Sequence, residues 1–213
     1  MAQMKFKAAI FDLDGTLLDS MAYYQSLAED FLDEFGISPD DEAQRAVAQM
    51  TLRESALYFK NRYCLEESVE ALYRGLVKQE EGIYTQRCAL KRGVKEYLEA
   101  LKQQRIPMAI ATMADKKHAK KALARLGVKK FFSYIFSDED VGKGKNEPDL
   151  YLAVAKKLKT QPEDCAVFED GVSFGAVAKK AGFQVYAVKD PTNQTRYAAF
   201  AASMDGEAPW NEN

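Results

Sequence analysis

Histidine, tryptophan and cysteine are scarce in this 213-residue chain, at one, one and three. A lone histidine, His118, rules out a histidine-based metal cluster. Cys64, Cys88 and Cys165 are odd in number, far apart and without a C-x-x-C pair, so neither a disulfide framework nor a zinc site is expected. An excess of one charge is also missing. The 30 Lys and Arg against 32 Asp and Glu leave a net charge of -2, which gives no overall pull toward nucleic acid or an anionic membrane. Basic clusters such as Lys116-Lys117 and Lys120-Lys121 read as solvated helix faces. No apolar run approaches the ~20 residues that span a bilayer. The opening MAQMKFKAAIFDLDG meets charge after a few apolar residues and lacks a signal peptide's apolar region. The expectation is a cytoplasmic monomer with no nucleic-acid or membrane partner.

What is present is ordinary globular usage, 47% hydrophobic and 29% charged, in two kinds of pattern. From Ser20 to about Gly82 the chain reads as helix. Tyr24, Leu27, Ala28, Phe31, Leu32 and Phe35 form one helical stripe, which Gly36 ends. Thr51 is a plausible cap for a helix reaching Tyr63, and a further stripe runs from Leu65 to Val77. Elsewhere short apolar runs alternate with helical stripes. The runs are Ala8–Phe11, Met108–Ala111, Tyr134–Phe136, Ala166–Phe168 and Val185–Val188. That alternation predicts an α/β fold, a Rossmann-like parallel sheet covered by helices on both faces. The helical block after the first strand predicts an inserted domain over residues 18–83, within a core of residues 1–17 and 84–213. The tail from Ala208 to Asn213 is polar apart from Trp210 and is expected to fray.

In open parallel sheets ligands bind beyond the carboxyl ends of the strands. Past the first apolar run stand Asp12 and Asp14, and past the second Thr112. VGKGKNEPDLY, after the third, holds Lys143 and Lys145, and Glu169 and Asp170 follow the fourth. Two adjacent carboxylates after a buried strand repel and resist burial unless a cation offsets the cost. Converging carboxylates make an oxygen-rich site suited to Mg²⁺. A hydroxyl and a lysine supply the hydrogen bond and positive charge that a phosphoryl group needs. One aspartate can then attack phosphorus, while the second, on the same side by strand alternation, serves as acid and base. Taken singly the pieces have plainer explanations: Thr112 as a helix cap, or Glu169 and Asp170 capping the helix after them.

With FDLDGTLLDS, Thr112, K-x-x-P-D from Lys145 to Asp149, and Glu169-Asp170 in place, the chain resembles the haloacid dehalogenase superfamily. Within it the nearest likeness is to the sugar-phosphate phosphatases and β-phosphoglucomutases, which carry a helical cap after the first strand. That resemblance implies a Mg²⁺-dependent phosphatase of small phosphate esters, with Asp12 as nucleophile and Asp14 as general acid/base. Thr112 and the Met113 amide would hold phosphoryl oxygens, and Lys145 would neutralise charge. Asp170, Glu169, Asp12 and the Asp14 carbonyl would hold Mg²⁺. Ser20 at the cap hinge and Arg53 at the entrance to a cap helix would meet substrate, and closure of the cap would exclude water. The alternative activity is a phosphomutase. Against it stand Tyr24, where the mutase has histidine, and Gln49, where it has a cap arginine. A phosphoacceptor receiver module also combines acids, threonine and lysine, but its aspartate follows a middle strand.

Overall fold

The computed structural model describes residues 5–47 and 50–210, so Gln49 lies outside the described residues. Strand β1 (Ala8–Phe11) and the short β2 (Leu18–Asp19) lead into four helices: α1 (Met21–Asp33), α2 (Asp41–Val47), α3 (Leu52–Tyr63) and α4 (Val69–Gly82). The chain returns through β3 (Ala89–Leu90), α5 (Val94–Gln103), β4 (Met108–Thr112) and α6 (Lys116–Arg125). Then come β5 (Phe132–Ser137), α7 (Asp149–Leu158), β6 (Cys165–Glu169) and α8 (Val172–Lys180). The last elements are β7 (Gln184–Ala187), α9 (Tyr197–Ser203) and β8 (Gly206–Glu207). Two compact units result, one from Met1–Asp19 with Ala89–Asn213 and the other from Ser20–Cys88.

The first unit holds a six-stranded sheet in the order β5-β4-β1-β6-β7-β8. Every strand pair in it is parallel. It is the α/β fold expected from the alternation. Strands β1, β4 and β6 are buried along their whole length, which unbroken apolar sequence allows only with helices on both faces. On one face Ala8, Ile10, Ala109, Ala111 and Val167 pack with Leu150, Tyr151 and Val154 of α7 and Ala178 of α8. On the other, period-two alternation lines up rings. Phe11 stacks on Phe168 at 4.7 Å, and Phe168 on Tyr186 at 5.1 Å. The register that pairs Phe11 with Phe168 and Phe168 with Tyr186 sets that ladder.

Trp210 corrects one expectation. Rather than fraying, the tail is packed at least this far, with the indole 5% exposed. It lies 5.3 Å from Phe168 and 5.2 Å from Tyr97 of α5. A single apolar ring was enough to outweigh its polar neighbours, because a buried aromatic contributes about 2–3 kcal/mol.

The helical unit has its own core of Phe31, Leu32, Ala56, Phe59, Leu72 and Leu76. Thr51 caps α3 through a reciprocal box: its hydroxyl accepts the Glu54 N–H at 3.3 Å, and the Glu54 carboxylate accepts the Thr51 N–H at 2.7 Å. The stripe expected from Leu65 begins only at Val69. Cys64 ends α3 in the left-handed region (φ 51°), and Ser68 then caps α4. Antiparallel pairing of β2 with β3 makes a two-stranded ribbon at the point where the chain leaves the sheet unit and returns to it. Two residues per strand are too few to show a period in the sequence.

Candidate active site

Strand β1 runs up the middle of the sheet between β4 and β6. The Asp12 N–H extends its pairing one residue further by donating to the Phe168 carbonyl at 3.0 Å. There the strand ends. The N–H groups of Leu17 and Leu18 both donate to the Leu13 carbonyl, at 3.0 and 2.9 Å. Gly15 takes φ 78°, a left-handed conformation cheap only for glycine, and closes this turn. Leu13 and Leu17 are fully buried and anchor it. Asp14 is half-buried within the turn, so turn geometry rather than strand alternation sets its place.

Asp12 is buried, and Lys145, itself 1% exposed, donates to its carboxylate. Lys145 also donates to Glu169 Oε2 at 3.0 Å. The same oxygen accepts the Tyr151 hydroxyl at 2.8 Å, while Glu169 Oε1 accepts the Gly171 N–H at 3.0 Å. A Cβ on Gly171 would sit 2.5 Å from the Phe174 ring and 3.0 Å from Glu169 Oε1, so no side chain fits this turn unshifted. Asp170 accepts the Thr16 hydroxyl at 2.8 Å, and its own N–H donates to Thr16 Oγ1 at 3.1 Å.

Electrostatics follow from burial. Burial opposes the charge on Lys145, but Asp12 and Glu169 outweigh it and raise the pKa above the ordinary lysine range. Burial, reinforced by Asp12, pushes Glu169 from the usual 4.5 up to about 7 against the opposing pull of Lys145. Burial, with Asp12 and Glu169, likewise raises Asp170. Lys145 thus pairs with two of three buried carboxylates, Asp12, Glu169 and Asp170, whose ligand oxygens lie within 4.8 Å of one another. An all-oxygen, acidic donor set of this kind fits a hard divalent cation such as Mg²⁺.

A pH dependence follows. Groups whose folded pKa is raised add stability below their unfolded pKa and lose it as pH rises through the folded value. Metal-free protein should accordingly lose stability between about pH 4.5 and pH 7 from Glu169, with Asp170 acting in the same direction. Saturating Mg²⁺ should flatten that slope. Urea unfolding followed by fluorescence of the one tryptophan, Trp210, measures both conditions. Equal slopes with and without metal would contradict the cation assignment.

Thr112 closes β4 beside β1 and is 1% exposed. Its Oγ1 accepts the Ala114 N–H at 3.0 Å, which leaves the hydroxyl proton to donate elsewhere. It does not cap the next helix. Asp115 does, accepting the Lys117 and His118 N–H groups at 2.6 and 3.2 Å. Met113 is 48% exposed. Lys143 is exposed and paired with Asp149 at 3.2 Å.

Two expected substrate residues belong to the helical unit. Ser20 is buried at the start of α1. Arg53 is exposed, paired with Glu70 at 2.9 Å, and has its guanidinium 4.3 Å from the Tyr73 ring centre. Tyr24 is hydrogen-bonded to Glu80 at 3.2 Å and to Tyr84. Thr16 and Tyr151 hold the acids, yet the sequence assigns neither a role at the site. Thr16 lies within FDLDGTLLDS, whereas Tyr151 sits among the apolar residues of α7, where nothing local separates it from core.

The family model for haloacid dehalogenase-like hydrolases matches residues 9–188. The chain belongs to the haloacid dehalogenase-like hydrolases. Among relatives, it is 29% identical over 188 residues to the phosphorylated carbohydrates phosphatase of Thermotoga maritima, covering 88% of this chain and 87% of that one. It is 28% identical over 185 residues to the fructose-1-phosphate phosphatase of Escherichia coli, covering 83% and 93%. The crystal structure of a β-phosphoglucomutase candidate from Thermotoga maritima superposes with a TM-score of 0.82 at 28% identity, over 97% of this chain and 95% of that one. The chain is an enzyme of the hydrolase class, homologous to phosphatases. Among the described residues no helix is long and apolar enough to cross a membrane.

Proposed function

We propose that the chain is a Mg²⁺-dependent phosphatase of small phosphate esters, sugar phosphates foremost, working through an aspartyl-phosphate. The observation that carries this is Asp12: a buried carboxylate at the end of the central strand, paired with a buried lysine beside two further buried acids. A carboxylate paired with Lys145 and withdrawn from bulk water is a competent nucleophile. Asp12 Oδ attacks phosphorus as the ester oxygen leaves in line. Asp14 gives that oxygen its proton and afterwards takes one from the water that hydrolyses the aspartyl-phosphate, releasing inorganic phosphate and restoring Asp12. Thr112 and the Met113 N–H hold the non-bridging oxygens, and Lys145 offsets their charge. Asp12, Asp170, Glu169 and the Asp14 carbonyl would hold Mg²⁺, which when bound supplies Lewis-acid neutralisation of the phosphoryl oxygens.

Similarity to the carbohydrate and fructose-1-phosphate phosphatases supports a sugar phosphate as substrate. The helical unit acts as the cap that selects it, with Ser20 and Arg53 as contacts. A mutase is disfavoured because Tyr24 is held within the cap by Glu80 and Tyr84 instead of offering a histidine's acid–base chemistry. Phosphate release from a panel of sugar and nucleotide monophosphates, with Mg²⁺ and with EDTA, tests the proposal. Turnover should require metal and favour sugar phosphates. Metal-independent release, or no release from any ester, would count against it.

A further inference from the structure

Asp170 is gripped from two sides, by Thr16 just before β2 and by Asn193, which Asp190 and Lys91 connect to the end of β3. Thr16, two residues before β2, holds its carboxylate and N–H. On the other side stands Asn193, 3% exposed, whose amide donates to the carbonyls of Asp170 and Val188, each at 2.8 Å. Asn193 Oδ1 accepts the Asp190 N–H at 3.1 Å, which leaves the side chain one orientation. Asp190 is itself buried. Its Oδ1 accepts the Thr192 N–H and hydroxyl at 3.0 and 2.7 Å, and its Oδ2 accepts Lys91 Nζ at 2.8 Å. Lys91 also donates to the Lys189 carbonyl at 2.7 Å. Lys91 immediately follows β3, and its N–H donates to the Leu17 carbonyl at 2.9 Å.

We propose that Asn193, aligned by buried Asp190 and its part-buried partner Lys91, is a positioning residue that holds the Asp170 loop for a divalent cation and ties it to the β2–β3 ribbon. The inference rests on the phosphatase reading only in taking Asp170 as a cation ligand. Its physical basis is that both donors of the Asn193 amide are spent on backbone carbonyls around Asp170. A loop so held loses little further freedom when a cation binds, and residues behind a ligand set metal affinity in this way. By linkage, a cation that stiffens Asp170 must stiffen the ribbon to the same degree that the ribbon favours the cation.

Mg²⁺ alone, titrated calorimetrically into substrate-free protein, tests this without using turnover. Asn193→Ala is expected to weaken Mg²⁺ binding about 10-fold. Asn193→Ser, which keeps one donor, should lose less. Lys91→Met combined with Asp190→Asn should weaken binding in the same direction, whereas Lys91→Arg alone, which keeps the cation facing Asp190, should retain it. Trp210 fluorescence confirms that each variant is folded. In hydrogen exchange, Mg²⁺ should slow the Lys91 amide in wild type and not in Asn193→Ala. A folded Asn193→Ala protein with wild-type Mg²⁺ affinity overturns the positioning role, and equal slowing in both proteins overturns the tie to the ribbon. Wild type that binds Mg²⁺ but releases no phosphate would instead count against the phosphatase reading.

Discussion

Asp12→Asn is expected to abolish phosphate release, lowering kcat on the order of 10⁴-fold or more, as loss of a covalent nucleophile does. The amide has nearly the carboxylate's volume, so the ring ladder beneath it at Phe11 and Phe168 is undisturbed. Stability should hold or rise in the metal-free protein, because the Asp12 charge, which after burial most raises the pKa of Glu169 and Asp170, has gone. Lys145 keeps Glu169 as its partner at 3.0 Å. The pairing of lost turnover with retained fold distinguishes a missing nucleophile from a collapsed site. Turnover that survives would mean another group attacks phosphorus, and burst-phase labelling with phosphate ester would show which.

Lys145→Met carries the second large effect, this time on stability and activity together. The substitution keeps an unbranched chain in the same space but leaves Asp12 and Glu169 facing each other, buried and without their shared cation. Breaking a buried pair on one side costs about 3–5 kcal/mol, a large share of the stability of an ordinary domain. Three features sharpen the test. Mg²⁺ should restore part of the loss by supplying positive charge to the same oxygens. Adding Glu169→Gln should recover part of it in the absence of metal, since one of the two opposed charges is then neutral, and the double-mutant cycle gives the coupling. Activity should stay low in both variants. A Lys145→Met protein as stable as wild type would show that the buried pair is not what offsets the acidic cluster.

Much of this molecule was legible in one dimension. Five of the six sheet strands stood out as apolar runs because each is buried, wholly or in part, and their order relative to the helices fixed a parallel topology. Gly206–Glu207 did not stand out: a two-residue edge strand has no room for a pattern. The carboxylates were readable for a similar reason. Asp12, Thr112, Glu169 and Asp170 each end or directly follow a buried strand, where a polar residue after an apolar run is a local signal.

Other parts were not local. Nothing near Tyr151 in the chain distinguishes a core tyrosine from one whose hydroxyl meets Glu169 eighteen positions away. Asn193 lies in a Pro-Thr-Asn turn that reads as a loop, and its amide is committed to Asp170 only because β6 and β7 lie side by side. Lys91 and Asp190 are 99 residues apart, and only the folded ribbon brings them to 2.8 Å. The sequence by itself determined the α/β class, the helical insertion and which acids gather at one sheet edge, since hydrophobic period and strand ends are short-range properties. Apart from Lys145, which its motif marks, only the tertiary structure decided which neutral and basic groups hold those acids, since hydrogen-bond partners are chosen by proximity in space and leave no period along the chain.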